Sequence, residues 1–364
     1  MAIEQIPITH TAMVYDQPGK VSIKRVSIDT PTPGPGQILV RLTHTGVCHS
    51  DHGLMTNAWV RYPKPTPTNQ IGGHEGVGYI VGLGAGTESP KIKLGQRVGI
   101  KFVHRACRNC AACVRGAESC CQQIQISGYF TPGTFQEYCV APADYVTPIP
   151  DGLPSHLAAP LLCAGLSAYS ALSKSRTSPG DWIVVSGAGG GVGHLACQIA
   201  SQAFGLRVIG IDVQSKESLV RSCGAELFVS LEEGRDGVIK RVQQETDGIG
   251  AAAVLVCTGE DSAFREGLDM LGFNGVLVVV GVQEGKERPI ENASPNLFLF
   301  MQKQIVGSSV GNYREAVAVM DLARRGIITP NVQMDRLENL QSVFERMEKG
   351  QLEGKAVLEI AASH

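Results

Sequence analysis

Five cysteines, Cys107, Cys110, Cys113, Cys120 and Cys121, crowd into fifteen residues of this chain. Cys107, Cys110, Cys113 and Cys121 follow the spacing C-x2-C-x2-C-x7-C. Four thiolates on one tight loop form a closed tetrahedral shell, the arrangement of structural zinc. An iron–sulfur run would read C-x2-C-x2-C-x3-C-P. Here the last gap is longer and Gln122 follows Cys121, so zinc is the better fit. Cys120 adjoins Cys121 and by spacing alone could replace it. Upstream, Cys48 lies in TGVCHSD (45–51) and His74 in GHEGVG (73–78). A thiol and an imidazole are zinc ligands, yet a buried cysteine is often a plain packing residue. Cys163 by itself reads as core. A third feature is GAGGGVG at 187–193. There Gly187, Gly189, Gly190, Gly191, Val192 and Gly193 let the backbone turn sharply and approach a pyrophosphate.

The elements around the glycines fit that chemistry. Residues 181–186 (DWIVVS) read as a short buried strand and 192–204 as a helix. A second strand at 207–212 (RVIGID) ends in Asp212, about twenty residues past the glycine loop, where a carboxylate meets an adenosine ribose. Its alternative role is a helix cap or turn. Asp212 favours NAD, because a carboxylate repels a 2′-phosphate; Lys216 and Arg207 keep NADP open. Helices near 216–222 and 262–271, with strands at 251–257 and 275–281, continue the alternation. That pattern predicts βαβ units and a parallel sheet. Residues 1 to about 160 differ. Short apolar segments at 36–42, 76–82 and 97–102 are separated by Pro- and Gly-rich turns, including Pro63, Pro65 and Pro67, which predicts irregular β structure. The last sixty residues hold a helix at 313–325 and a strand at 355–360.

Composition narrows the class. The chain has 364 residues, 43% hydrophobic and 18% charged, which suits two full cores and not a disordered chain. With 32 basic and 34 acidic residues the net charge is −2, so nucleic acid is not an expected partner. No membrane-spanning run and no signal-peptide pattern stands out, and the 11 cysteines suggest a reducing, cytoplasmic setting.

The motifs TGVCHSD, GGHEGVG, the four-cysteine loop, APLLCAGLSAYSAL (159–172), the glycine loop, VGSSVGN (306–312) and MEKGQLEGK (347–355) run through almost the entire chain. Together they resemble the zinc-dependent medium-chain alcohol dehydrogenases, and the yeast and fungal enzymes among them. The resemblance implies an α/β fold. A β-rich GroES-like catalytic domain would cover 1–160 and 306–364, with a Rossmann domain at 161–305. It implies two zinc ions per subunit, one catalytic on Cys48, His74 and Cys163, and one structural on Cys107, Cys110, Cys113 and Cys121. It implies reversible hydride transfer between an alcohol, expected to be primary, and NAD, giving aldehyde or ketone and NADH. Zinc would act as a Lewis acid that lowers the alcohol's pKa. A homo-oligomer, a tetramer before a dimer, is implied as well.

Site roles carry over motif by motif. Asp51 resembles the carboxylate that orients the ligand histidine, or else is a turn aspartate. Glu75 resembles a residue that approaches the metal from behind, or forms a salt bridge. Ser50 resembles the hydroxyl that takes the substrate proton. The relatives' relay histidine falls at Gly53, so the proton would leave through water or through His52. His49 resembles a basic residue near the pyrophosphate, or an idle loop histidine. Lys355 stands where relatives place an arginine on the same phosphates. Val282 belongs to the implied cofactor contacts. Trp59 and Phe102 match substrate-walling aromatics, or pack the core. Residues 57–70 and 294–301 depart from the ethanol-type pattern, which points to a larger or different alcohol. Two other functions fit parts of the sequence. One is a metal-free, NADPH-dependent enoyl or quinone reductase, against which the intact ligands Cys48, His74 and Cys163 argue. The other is a non-catalytic NAD-binding protein, which only Gly53 favours.

Overall fold

The structure is a computed structural model that describes residues 6–62, 64–87 and 91–360; Pro63 of the proline-rich loop lies outside them. The chain forms two compact units. One comprises residues up to 163, residues 312–324 and everything from 332 on; the other comprises 164–311 and 325–331. Among the described residues no single helix is long and apolar enough to cross a membrane.

The first unit is built on the long strand Gln37–Val47, whose apolar positions bury Ile38, Leu39, Val40, Leu42 and Val47. It pairs antiparallel with Gly76–Leu83, Tyr138–Pro142 and Lys355–Glu359. The register of these pairs places the chemistry. Thr45 lies opposite Gly76 and Val47 opposite Ala356. Cys48, His74 and Lys355 therefore emerge at one end of one sheet, although they are far apart in sequence. A core of Tyr15, Ile38, Phe135, Val343 and Phe344, among others, fills the space beneath.

The second unit is a six-stranded sheet, parallel throughout, in the order Leu227–Ser230, Arg207–Asp212, Trp182–Ser186, Ala251–Val256, Leu271–Val279, Gln304–Gly307. The first strand in sequence, Trp182–Ser186, lies between the second and fourth. Strand order thus reverses beside it, the place where open α/β sheets bind ligands at strand carboxyl ends. Gly187 and Asp212 stand at those ends. The predicted helix at 192–204 is an α-helix over Gly193–Gln198 that widens into a π-turn over Ile199–Ala203. Segment 325–331 packs with this unit rather than with the β-rich one that surrounds it in sequence.

Candidate active site

Cys48 follows the strand Gln37–Val47 and stands in extended conformation at the start of the helix His49–Met55. The Asp51 carboxylate turns back to this helix end, where Oδ2 accepts from Cys48 N at 3.0 Å. Its other oxygen accepts from His74 Nδ1 at 2.9 Å and from Gly73 N at 3.1 Å. One fully buried carboxylate thereby fixes both the helix start and the tautomer of His74. His74 Nε2 is buried and makes no hydrogen bond. The ligand atoms of Cys48, His74, Glu75 and Cys163 all lie within 4.8 Å of one another, with the two sulfurs 3.9 Å apart.

An uncompensated imidazole nitrogen facing two thiols is costly unless something binds there. Two sulfurs and one nitrogen are the donor set zinc prefers. The electrostatics agree. The Cys163 thiol donating to its sulfur pulls Cys48 well below the ordinary thiol range, while Cys163 itself is pushed well above it. Burial disfavours charge on His74, yet Asp51 and Cys48 outweigh it and lift that histidine to about 10. A cation bound here would compete with protons for these same atoms.

Glu75, a member of this group, is fully buried. Its Oε1 pairs with Lys355 Nζ at 2.6 Å, and its Oε2 has no partner. Burial pushes its carboxyl up to about 7 against the pull of Lys355. Gly46 is what makes room, since a Cβ there would lie 1.8 Å from Glu75 Oε2. Lys355 is drawn into this buried group. Its side chain is 4% exposed and its ammonium is held by Glu75. The salt bridge weighed for Glu75 is present, with Lys355 as its partner, while no motif announced the role of Gly46.

In the cysteine loop, Cys107, Cys110, Cys113 and Cys121 bring their sulfurs within the same 4.8 Å limit, and Cys120 is exposed outside the group. Backbone N–H groups of Cys107 and Gln123 donate to Cys121 Sγ, and that of Cys110 to Cys107 Sγ, each at 3.3 Å. Such bonds stabilise thiolates. The group fits a closed four-sulfur ion site.

At the glycine loop, Gly187 has φ +78° and makes the turn. A Cβ on Gly193 would sit 2.0 Å from Gly187 O, so only glycine lets the helix close on the strand. Asp212 Oδ2 accepts from Gly189 N at 2.7 Å, and Lys216 lies over Gly189 with its Nζ 3.8 Å from Asp212 Oδ1. Arg207 is engaged at the far end of the strand by Glu226 at 2.5 Å and by the Trp182 ring. Val282 is exposed, and its carbonyl packs on Gly259.

Residues 34–151 match the alcohol dehydrogenase GroES-like domain and residues 191–325 the zinc-binding dehydrogenase family. Alcohol dehydrogenase 2 of Emericella nidulans is 48% identical over 99% of this chain and 100% of its own length. The chain belongs to the alcohol dehydrogenase family. It is an oxidoreductase that acts on alcohols. The alcohol dehydrogenase of Schizosaccharomyces pombe is 35% identical over 96% of this chain and 97% of its own. Among solved structures, acetophenone reductase from Geotrichum candidum in complex with NAD superposes with a TM-score of 0.83 at 27% identity, covering 98% of each chain.

The other residues expected at the site of this alcohol dehydrogenase have the following neighbours. Ser50 Oγ lies 3.6 Å from Cys48 Sγ. His49 is exposed, with its ring 5.3 Å from that of His52. His52 Nε2 is 3.1 Å from Glu348 Oε1. Phe102 meets the His74 ring edge-on at 5.1 Å and so walls the cluster. Trp59 stacks on Tyr62 at 5.7 Å and presses its indole against Gly53.

Proposed function

We propose that the chain is a zinc-dependent, NAD-linked alcohol dehydrogenase that interconverts a primary alcohol and its aldehyde. The observation that carries this reading is the buried, unbonded His74 Nε2 beside the sulfurs of Cys48 and Cys163. A metal-free reductase would leave that nitrogen without a reason. Cys48, His74 and Cys163 would hold the catalytic zinc, and Cys107, Cys110, Cys113 and Cys121 a structural one. When bound, the first ion supplies Lewis acidity toward an alcohol oxygen, and NAD supplies the hydride acceptor. Asp51 orients His74 for that task. Phe102 and Trp59 would offer apolar walls, and the Ser50 hydroxyl, 3.6 Å from Cys48 Sγ, would take the proton released from the alcohol. His52 with Glu348 offers one way out for that proton, and water another.

NAD rather than NADP is supported by the Asp212 carboxylate beside Gly189. Arg207 is occupied and begins the strand that Asp212 ends, about 16 Å away at ~3.3 Å per residue. Assembly into a homo-oligomer, a tetramer by resemblance, is supported by the apolar helix Pro295–Met301. Its Leu299 and Phe300 are 68% and 77% exposed beside the edge strand Gln304–Gly307. A cytoplasmic location suits its unpaired thiols.

The test is an alcohol and aldehyde panel with NAD(H) and NADP(H), followed by metal analysis and light scattering. Turnover of primary alcohols with NAD that disappears when metal is stripped is expected. Full activity in metal-free protein would overturn the reading.

A further inference from the structure

The helix Gly193–Gln198 is tied to segment 325–331 by two side chains one turn apart. His194 is fully buried, with Nδ1 2.9 Å from Gly190 O and Nε2 accepting from Asn331 N at 3.1 Å. A neutral imidazole carries one donor and one acceptor, so this pattern puts the proton on Nδ1. Gln198 makes a reciprocal pair with Thr329, donating to its carbonyl at 2.9 Å and accepting from its N–H at 2.8 Å.

Gly190 O therefore takes two bonds, from His194 Nδ1 and from His194 N at 3.1 Å. That carbonyl and the N–H of Gly191 belong to one planar trans peptide and point in opposite directions. Between two glycines such a plane turns easily, because both neighbouring torsions are open. Among the described residues, neither Gly191 N–H nor Val192 N–H has a backbone acceptor, and both residues are partly exposed. Whatever pins the Gly190 carbonyl also aims the Gly191 donor.

We propose that His194 is a positioning residue for the cofactor, locking the Gly190–Gly191 peptide so that Gly191 N–H faces the pyrophosphate. This rests on reading the glycine loop as the NAD site. The lock holds the donor in its binding direction before the ligand arrives, so less order must be imposed on binding.

Two variants separate the ring's two bonds. His194→Asn keeps a donor where Nδ1 was, and His194→Gln keeps an acceptor where Nε2 was. NADH affinity is read by fluorescence titration, with kcat measured at saturating NAD. For His194→Gln the NADH Kd rises about tenfold without a fall in kcat, and for His194→Asn it stays within about twofold. Gln198→Ala removes the Thr329 pair without touching the loop, and lowers the melting temperature while leaving the Kd unchanged. Equal Kd values for wild type and His194→Gln overturn the proposal. So does a loss in Gln198→Ala as large as in His194→Gln, or one in His194→Asn. Should the variants fail to fold, 15N-histidine spectra of the wild-type protein decide. The proposal requires the Nδ1–H tautomer and a shift of that resonance on NADH addition, and it falls if either is missing. Wild-type protein that binds no NADH would instead refute the cofactor reading itself.

Discussion

Trp59 and Gly53 compete for one volume. A Cβ at position 53 would lie 2.4 Å from the indole Nε1, and the indole is held in place by its stack on Tyr62. Any side chain at position 53 would therefore have to displace the indole. Gly53→Ala is expected to cost ~1–3 kcal/mol of stability, the usual penalty of overpacking. In a Trp59→Ala background the same change should cost less than ~0.5 kcal/mol, because the obstacle is gone. Denaturant midpoints of the four proteins in this cycle check it. Equal costs in both backgrounds would show that the indole moves aside freely.

Asp51 serves Cys48 N, Gly73 N and His74 Nδ1 at once, and Asn cannot serve all three. Its amide oxygen can still cap Cys48 N, but its NH2 would then face His74 Nδ1 and force the proton onto Nε2. That nitrogen is the one turned toward the two sulfurs. Asp51→Asn should lower kcat/KM and metal retention on dialysis by roughly 10–100-fold. The protein should stay folded, as circular dichroism would show. Unchanged metal content and kcat/KM would remove Asp51 from the site.

Lys101 is a buried cation that the chemistry does not use. Its Nζ donates to Tyr145 O at 2.5 Å and sits 3.6 Å over the Tyr145 ring. Burial lowers it to about 7, with only Glu118 and Asp144 opposing. The unfolded chain returns it to the ordinary value near 10.5, so between pH 7 and that value the unfolded state binds more protons. Stability contributed through this residue therefore rises with pH across that window, by up to ~1.4 kcal/mol per pH unit, and is flat below it. The stability of wild type minus that of Lys101→Met should grow between pH 7 and 9. A constant difference would mean that the lysine stays charged in the fold.

Much of this was legible in the sequence, for identifiable reasons. The strand–glycine–helix turn ending near Asp212 is local, and periodicity with glycine placement specifies it. The four-cysteine spacing is local too. Cys163 was not legible from its own surroundings. It joins Cys48 and His74 only through the fold, and only the resemblance singled it out. Lys355 was singled out by its motif, but its pairing with Glu75 comes from strand register, with Val47 opposite Ala356. Gly53 read as a missing function because nothing in the sequence says that an indole six residues later folds back onto it. Contacts set by tertiary packing leave no periodic trace.

Cys120 and Cys121 are neighbours with equal claims by spacing, and the fold separates them. Cys121 is 3% exposed and accepts two backbone N–H groups, whereas Cys120 points to solvent outside the four-sulfur group. A closed sulfur shell contributes folding free energy directly, so removing one ligand should loosen the whole loop. Cys121→Ser should lose one equivalent of metal and melt at least about 5 °C lower, the shift expected for a loss of several kcal/mol in a domain this size. Cys120→Ser should keep its metal, its melting temperature and its activity. Metal analysis with differential scanning calorimetry on both proteins decides. A metal deficit in Cys120→Ser would show that the exposed thiol, not its buried neighbour, completes the shell.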